Sequence, residues 1–328
     1  MKTKLKKDLF MLKEIRISFK DLSIFWMILV MTSSMLHSQQ EASFSLYMFN
    51  HQLINPAYVG AQDYTQLTMT NRSQWQQFEG APITQAFSIG HKFRSKIALG
   101  ASVVHDKIGP LKNTSASLDF CYHLNLNDKN LKLSLGLKFT KRYNSLDYSM
   151  INPLEDFDIT FSTQPENDSK INFGTGFYLH NEKFYVGVGI PYILEDDLVG
   201  LKRNYYLITG GLIKLNNSFQ LKPSLLFQAT HGNDLIYDNS VLVVFKNRVW
   251  LGPQYRATVS SFLPNQKKSG YYGVIAGIHL NKNMSLGYAY QGSLANQAIG
   301  ITNTSHEILL RIHLVPNVKG FMRSPRLF

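Results

Sequence analysis

The run "NLKLSLGLKFT" (130–140) alternates without a break. Leu131, Leu133, Leu135, Leu137 and Phe139 fall on one side of an extended chain; Lys132, Ser134, Gly136 and Lys138 fall on the other. Successive strand side chains point to opposite faces, so this is a strand with one apolar face and one polar or small face. The same period recurs in "KFYVGVGI", where Phe184, Val186, Val188 and Ile190 oppose Tyr185, Gly187 and Gly189. It recurs in "MSLGYAYQ" (284–291) and in "HEILLRIHL" (306–314), where Ile308, Leu310, Ile312 and Leu314 oppose Glu307, Leu309, Arg311 and His313. Segments of about ten residues with this dyad pattern, separated by turns, are the signature of a transmembrane antiparallel β-barrel.

The pattern predicts strands at 65–75, 84–93, 95–106, 112–124, 130–143, 171–179, 182–190, 205–214, 218–230, 235–246, 248–258, 270–280, 284–292 and 305–314. That makes fourteen, and single-chain bacterial barrels carry an even number. Short connections, at Arg94, 125–128, 180–182, 215–217, 246–248 and 281–283, alternate with long ones near 76–83, 107–111, 144–170, 191–204, 259–269 and 293–304. A β-sandwich or propeller gives no reason for that alternation; an outer-membrane barrel has short periplasmic turns and long extracellular loops. Pro223 lies awkwardly within a strand, since proline belongs at edges or bulges. Charged residues are only 17% of the chain, below the roughly 25% usual in soluble domains.

Residues 1–38 combine a basic stretch with an apolar run at 22–36 and then "HSQQ". This reads as a secretory signal peptide, with a mature chain starting near Gln39 and translation starting at Met1 or Met11. The alternative is an uncleaved N-terminal anchor, but the run is shorter than the roughly 20 residues that cross a bilayer as a helix. Residues 39–64 then form a periplasmic N-terminal segment, 65–314 the barrel and 315–328 a periplasmic C-terminal tail, both ends lying in the periplasm.

The net charge of +12 includes +4 from residues 1–38, and the rest is scattered singly. No basic, aromatic-interleaved stripe marks a nucleic-acid partner. One cysteine, Cys121, makes neither a disulfide framework nor a thiolate metal cluster; on the polar face with Ser117 and Asp119 it fills space. G-x-S-x-G, P-loop, H-E-x-x-H and C-x-x-C motifs are absent, so the chain is expected not to be an enzyme and to need no cofactor or metal. Glu307 and Arg311, four residues apart on one polar face, read as a lumenal ion pair, with an acid–base pair as the alternative. The acidic runs at 155–158 and 195–197 read as solvated loop charge, with a hard cation as the alternative.

Inward-facing glycines are numerous: Gly100, Gly136, Gly174, Gly176, Gly187, Gly189, Gly273, Gly277 and Gly287. Glycine within a strand marks close approach of another backbone. Either barrel curvature explains them, or they make room for a plug, an infolded loop or a partner's chain.

The stretch "YMFNHQLINPAYVGAQDYTQLTMTNRSQWQQFEGAPITQAFSI" (47–89) resembles the N-terminal signature of the PorP/SprF family, outer-membrane proteins of type IX secretion and gliding. The matching residues are Tyr47, Asn55, Pro56, Ala57, Gly60, Arg72, Gln74, Trp75, Gly80, Ala81, Pro82 and Thr84; "SHEILL" (305–310) and "SPRLF" (324–328) match near the end. Val59 stands where the family usually has a small residue. The resemblance implies export or surface attachment of a large adhesin-like secreted protein, together with periplasmic machinery components. A passive porin or hydrophobic-compound transporter is the first alternative; a membrane-embedded hydrolase is the second. On the residues alone, Asn55, Pro56 and Gly60 make a turn ahead of the first strand, Trp75 anchors its end at the lipid interface, and Gly80 and Pro82 turn the chain over. Arg72 and Gln74 face inward, and are expected to position a protein element inside the barrel.

Overall fold

The computed structural model describes residues 43–314 apart from 63, 77, 94–95, 127–130, 148–166, 197–200, 232, 263–269 and 294–303. The leader, the acidic run at 155–158 and the C-terminal tail lie outside the described residues.

The strands are β1 (Thr65–Gln74), β2 (Ile83–Lys92), β3 (Ile97–Ile108), β4 (Leu111–Asn125), β5 (Lys132–Leu146), β6 (Asn167–His180), β7 (Phe184–Ile190), β8 (Asn204–Gly211), β9 (Ile213–Lys214), β10 (Phe219–Thr230), β11 (Ile236–Phe245), β12 (Val249–Thr258), β13 (Gly270–His279), β14 (Met284–Ser293) and β15 (Thr304–Leu314). Apart from β8 and β9, each pairs antiparallel with its chain neighbour, and β15 returns to β1 from Thr65↔Leu314 to Gln74↔Ser305. The ring is therefore closed. β8 and β9 are two parts of one stave, both paired to β10, which makes fourteen staves.

The break between β8 and β9 accounts for Pro223. The β8–β10 ladder stops at Gly210↔Ser224 and the β9–β10 ladder resumes in the same register at Ile213↔Leu221. Proline, having no N–H to give, sits beside the gap while pairing with Val241 on its other side. Pro253 repeats the device: β11 and β12 pair at Ser240↔Gln254 and again at Val243↔Leu251, and the gap lies between. One connection is shorter than expected. β3 and β4 pair to Ile108↔Leu111, leaving only Gly109 and Pro110 as the turn, with Gly109 at φ 55°.

The outer surface is the apolar face. Leu135 is 49% exposed, whereas its neighbour Ser134 is 0% exposed. Aromatic residues mark both ends of this band: Phe227, Tyr237, Tyr255 and Tyr272 toward the long loops, Phe184, Phe219 and Phe245 toward the short turns. Phe219 and Phe227 lie eight residues apart on one face of β10. Eight residues rise about 27 Å, and a tilt of about 40° reduces this to about 21 Å, close to the roughly 25 Å apolar band of such barrels.

The interior departs from expectation. Residues 39–64 were expected to precede the barrel in the periplasm, yet Ser45–Gln52 and Asn55–Val59 are buried against its inner wall. Three 3-10 turns, Tyr47–Phe49, His51–Leu53 and Pro56–Tyr58, fold this segment into a plug. The reason is that it carries too much apolar surface for a periplasmic linker. Leu46, Tyr47, Met48 and Phe49 form one core with Trp250, Leu242, Ile275 and Leu309 of the wall, and burying such side chains is worth about 1.5–3 kcal/mol each.

Candidate functional site

The described residues most able to do something specific are those joining plug and wall. Toward the long-loop end, Arg72 on β1 lies directly across from Glu307 on β15, with Nη1 3.9 Å from Oε2. Glu307 accepts the backbone N–H groups of Ser45 (2.6 Å) and Leu46 (2.9 Å), one on each oxygen. Arg72 Nη2 donates to Gln291 Oε1 at 3.2 Å, and Gln291 Nε2 donates to Gln254 Oε1 at 3.1 Å. Gln254 Nε2 in turn reaches the Ser45 carbonyl (2.9 Å) and Asp238 (3.0 Å). Arg256 Nε donates to Asp238 Oδ2 at 2.7 Å while its two outer nitrogens reach Ser43 Oγ (2.5 Å) and the Phe44 carbonyl (2.9 Å). Two arginines and two carboxylates are buried here, so the cluster is neutral as a whole. Its partners on the plug are mostly backbone atoms. It is a clamp for the peptide at Ser43–Leu46.

A second contact sits lower. Gln52 Nε2 donates to Asp119 (3.0 Å) and to the carbonyls of Ile89 (3.1 Å) and Ala101 (3.2 Å). Lys138 pairs with Asp119 at 2.8 Å. The third is the Asn-Pro turn. Asn55 accepts the Ala57 N–H at 3.0 Å and donates to the Phe177 carbonyl at 2.9 Å. Cys121 Sγ donates to the Ala57 carbonyl at 3.3 Å, so the cysteine also meets the plug.

Glycines make the fit possible. A Cβ on Gly136 would lie 2.2 Å from Ala57 N; on Gly176, 2.1 Å from Asn55 Oδ1; on Gly189, 2.2 Å from the Ile54 carbonyl. Of the readings left open by the sequence, the plug is the one these positions serve, and it is the chain's own. Gly174, Gly273 and Gly277 instead face wall atoms, so close strand packing explains those. The wall is thus lopsided: on β5, β6 and β7 glycines admit the plug backbone, and on β11, β12, β13 and β15 large apolar side chains meet Leu46–Phe49.

The four inward residues singled out in the sequence separate. Arg72 and Glu307 belong to the clamp. Arg311 does not pair with Glu307 as expected: it points at the Phe49 ring, 5.2 Å from its centroid, a cation–π contact. A spacing of four residues along a strand is too far for a direct pair, and the residue opposite Glu307 is Arg72. Gln74 stands at the rim, where its N–H bonds the Pro82 carbonyl (3.0 Å), away from the clamp. Asn55, Pro56 and Gly60 form the lower plug rather than a turn ahead of the strand; Gly60, at φ 71°, abuts Ala98. Trp75 ends β1 at φ 50° and is exposed at the rim, and Gly80, at φ 76°, turns the chain toward Pro82. Sequence reasoning missed Gln254, Asp238, Arg256, Gln52 and Lys138. Each is a polar side chain on the inward phase of a strand or in the plug, and inward phase plus polarity was the available signal.

In the loop at 195–197, Asp196 pairs with Lys170 and Glu195 accepts the Arg203 N–H at 3.2 Å. Among the described residues no group of three His, Cys, Asp or Glu side chains is placed to hold a metal ion.

These features define a class: a closed, lipid-facing β-barrel whose lumen is filled by its own N-terminal segment. The family model of the type IX secretion system membrane protein PorP/SprF matches residues 36–312, and the chain belongs to that family. Closed apolar-faced barrel and family together place the protein in the outer membrane. No curated protein matches the chain. Among solved structures it is similar to the Acinetobacter baumannii outer membrane protein Omp33 (11% identity, 77% of this chain and 100% of that one, TM-score 0.44). It is also similar to the Ralstonia pickettii toluene transporter TbuX (9% identity, 83% and 94%, TM-score 0.44) and to the translocator domain of the autotransporter NalP from Neisseria meningitidis (12% identity, 82% and 96%, TM-score 0.34).

Proposed function

We propose that this barrel serves type IX secretion by helping to export or attach at the surface a large secreted protein such as an adhesin, acting with periplasmic components of the machinery and catalysing no reaction. The observation that carries the reading is the filled lumen. A passive porin needs a continuous aqueous path, and here the plug is hydrogen-bonded or packed against β2, β3, β4, β5, β6, β12 and β15. Non-enzymatic action fits Glu307, both of whose oxygens are occupied by plug N–H groups.

The test compares surface and secreted proteomes of wild-type cells, a full deletion and an Arg72→Ala, Gln74→Ala variant. The deletion is expected to lose at least one large surface protein; an unchanged surface proteome would overturn the proposal. Loss in the deletion alone would keep it and discard the two residues. In planar bilayers the purified barrel is expected to stay closed, and a steady open conductance would favour the porin.

A further inference from the structure

An even number of staves sends both ends of a barrel chain to the same side, unless one end passes through the lumen. Here one does. Gly60 lies beside Ala98, Lys92 and His123, at the short-turn ends of β3, β2 and β4. Moving back along the chain, Asn55 meets Gly176 and Gly187, and Gln52 meets Ala101 and Asp119, a few residues further up. Ser45 and Leu46 bond Glu307, three residues from the long-loop end of β15. Ser43 and Phe44 bond Arg256, two residues from the long-loop end of β12. The segment therefore climbs the lumen from the periplasmic mouth to near the outer one, while β15 ends at Leu314 on the periplasmic side.

We infer that the chain ahead of Ser43 leaves through the long-loop mouth, so that the barrel presents its N-terminal end at the cell surface and its C-terminal end to the periplasm. The lower lumen is filled by the plug itself, which closes the downward route. The clamp fixes the direction, because the order Ser43, Phe44, Ser45, Leu46 runs from Arg256 down to Glu307. The barrel thus exposes one end to each compartment it joins.

The experiment inserts a short charged epitope between Gln40 and Glu41, and in a second strain between Pro316 and Asn317, and measures antibody binding to intact and to outer-membrane-permeabilised cells. The first epitope is expected to be detected on intact cells, the second only after permeabilisation. Detection of both on the same side of the membrane would overturn the inference. If the tagged chain fails to assemble, the unmodified protein decides: shaving intact cells with a glutamate-specific protease is expected to leave an N-terminus at Ala42. An uncut N-terminus after shaving would overturn the inference equally.

Discussion

Glycine and its neighbours set what single residues do here. At Gly136 a Cβ would stand 2.2 Å from a plug backbone nitrogen, whereas at Gly287 the nearest plug atom, Leu46 Cδ1, would be 3.6 Å away, an ordinary contact. Gly136→Ala is therefore expected to loosen the plug, lowering the temperature of heat-modifiable gel mobility and producing channel openings, while Gly287→Ala leaves both unchanged. Glu307→Leu removes the acceptor of two plug N–H groups and strands the Arg72 guanidinium in the lumen. Breaking a buried pair from one side costs about 3–5 kcal/mol, to be read as a lowered urea midpoint for unfolding from lipid vesicles. The inward phase of Arg72 and Glu307 was legible in the sequence. Their pairing was not, because it depends on which residue of β15 stands across from Arg72, and that register closes a ring between segments more than two hundred residues apart.

At the scale of the strand, the two faces of β5 carry opposite consequences. Leu135→Arg puts a cation on the lipid face near mid-membrane at a cost of about 2–4 kcal/mol, and is expected to block insertion. Were the lumen open, Ser134→Arg would be mild. The lumen is filled: Ser134 bonds His123 at 2.7 Å, and His123 borders the space beside Gly60. Ser134→Arg is therefore expected to insert but to push the plug aside, giving a folded barrel with raised conductance; failure to insert would mean the faces are misassigned. Strand positions were legible almost throughout, since alternation is a local property of each segment. Pro223 looked like a flaw because a single strand shows only its own sequence; the gap in its neighbour's ladder, at Gly211 and Leu212, is what receives it.

For the molecule as a whole, plug and wall are one folding unit. Deleting residues 43–61 is expected to leave a barrel that opens a steady conductance and melts at lower temperature; a closed, equally stable deletion would deny the plug its part. Fourteen staves, an apolar outer face and membership in an envelope family followed from the sequence by itself, because the two-residue period, the turn spacing and the Asn-Pro and Arg-x-Gln-Trp motifs are all carried by residues near one another. Only the tertiary structure decided where Asn55-Pro56-Ala57 goes. Read locally it is a turn ahead of a strand. Inside the closed ring it is the piece that fills the space left by Gly136, Gly176 and Gly189, glycines 79 to 134 residues further along the chain. The complementarity of a plug and its wall exists only once the last seam closes, so no window of sequence contains it.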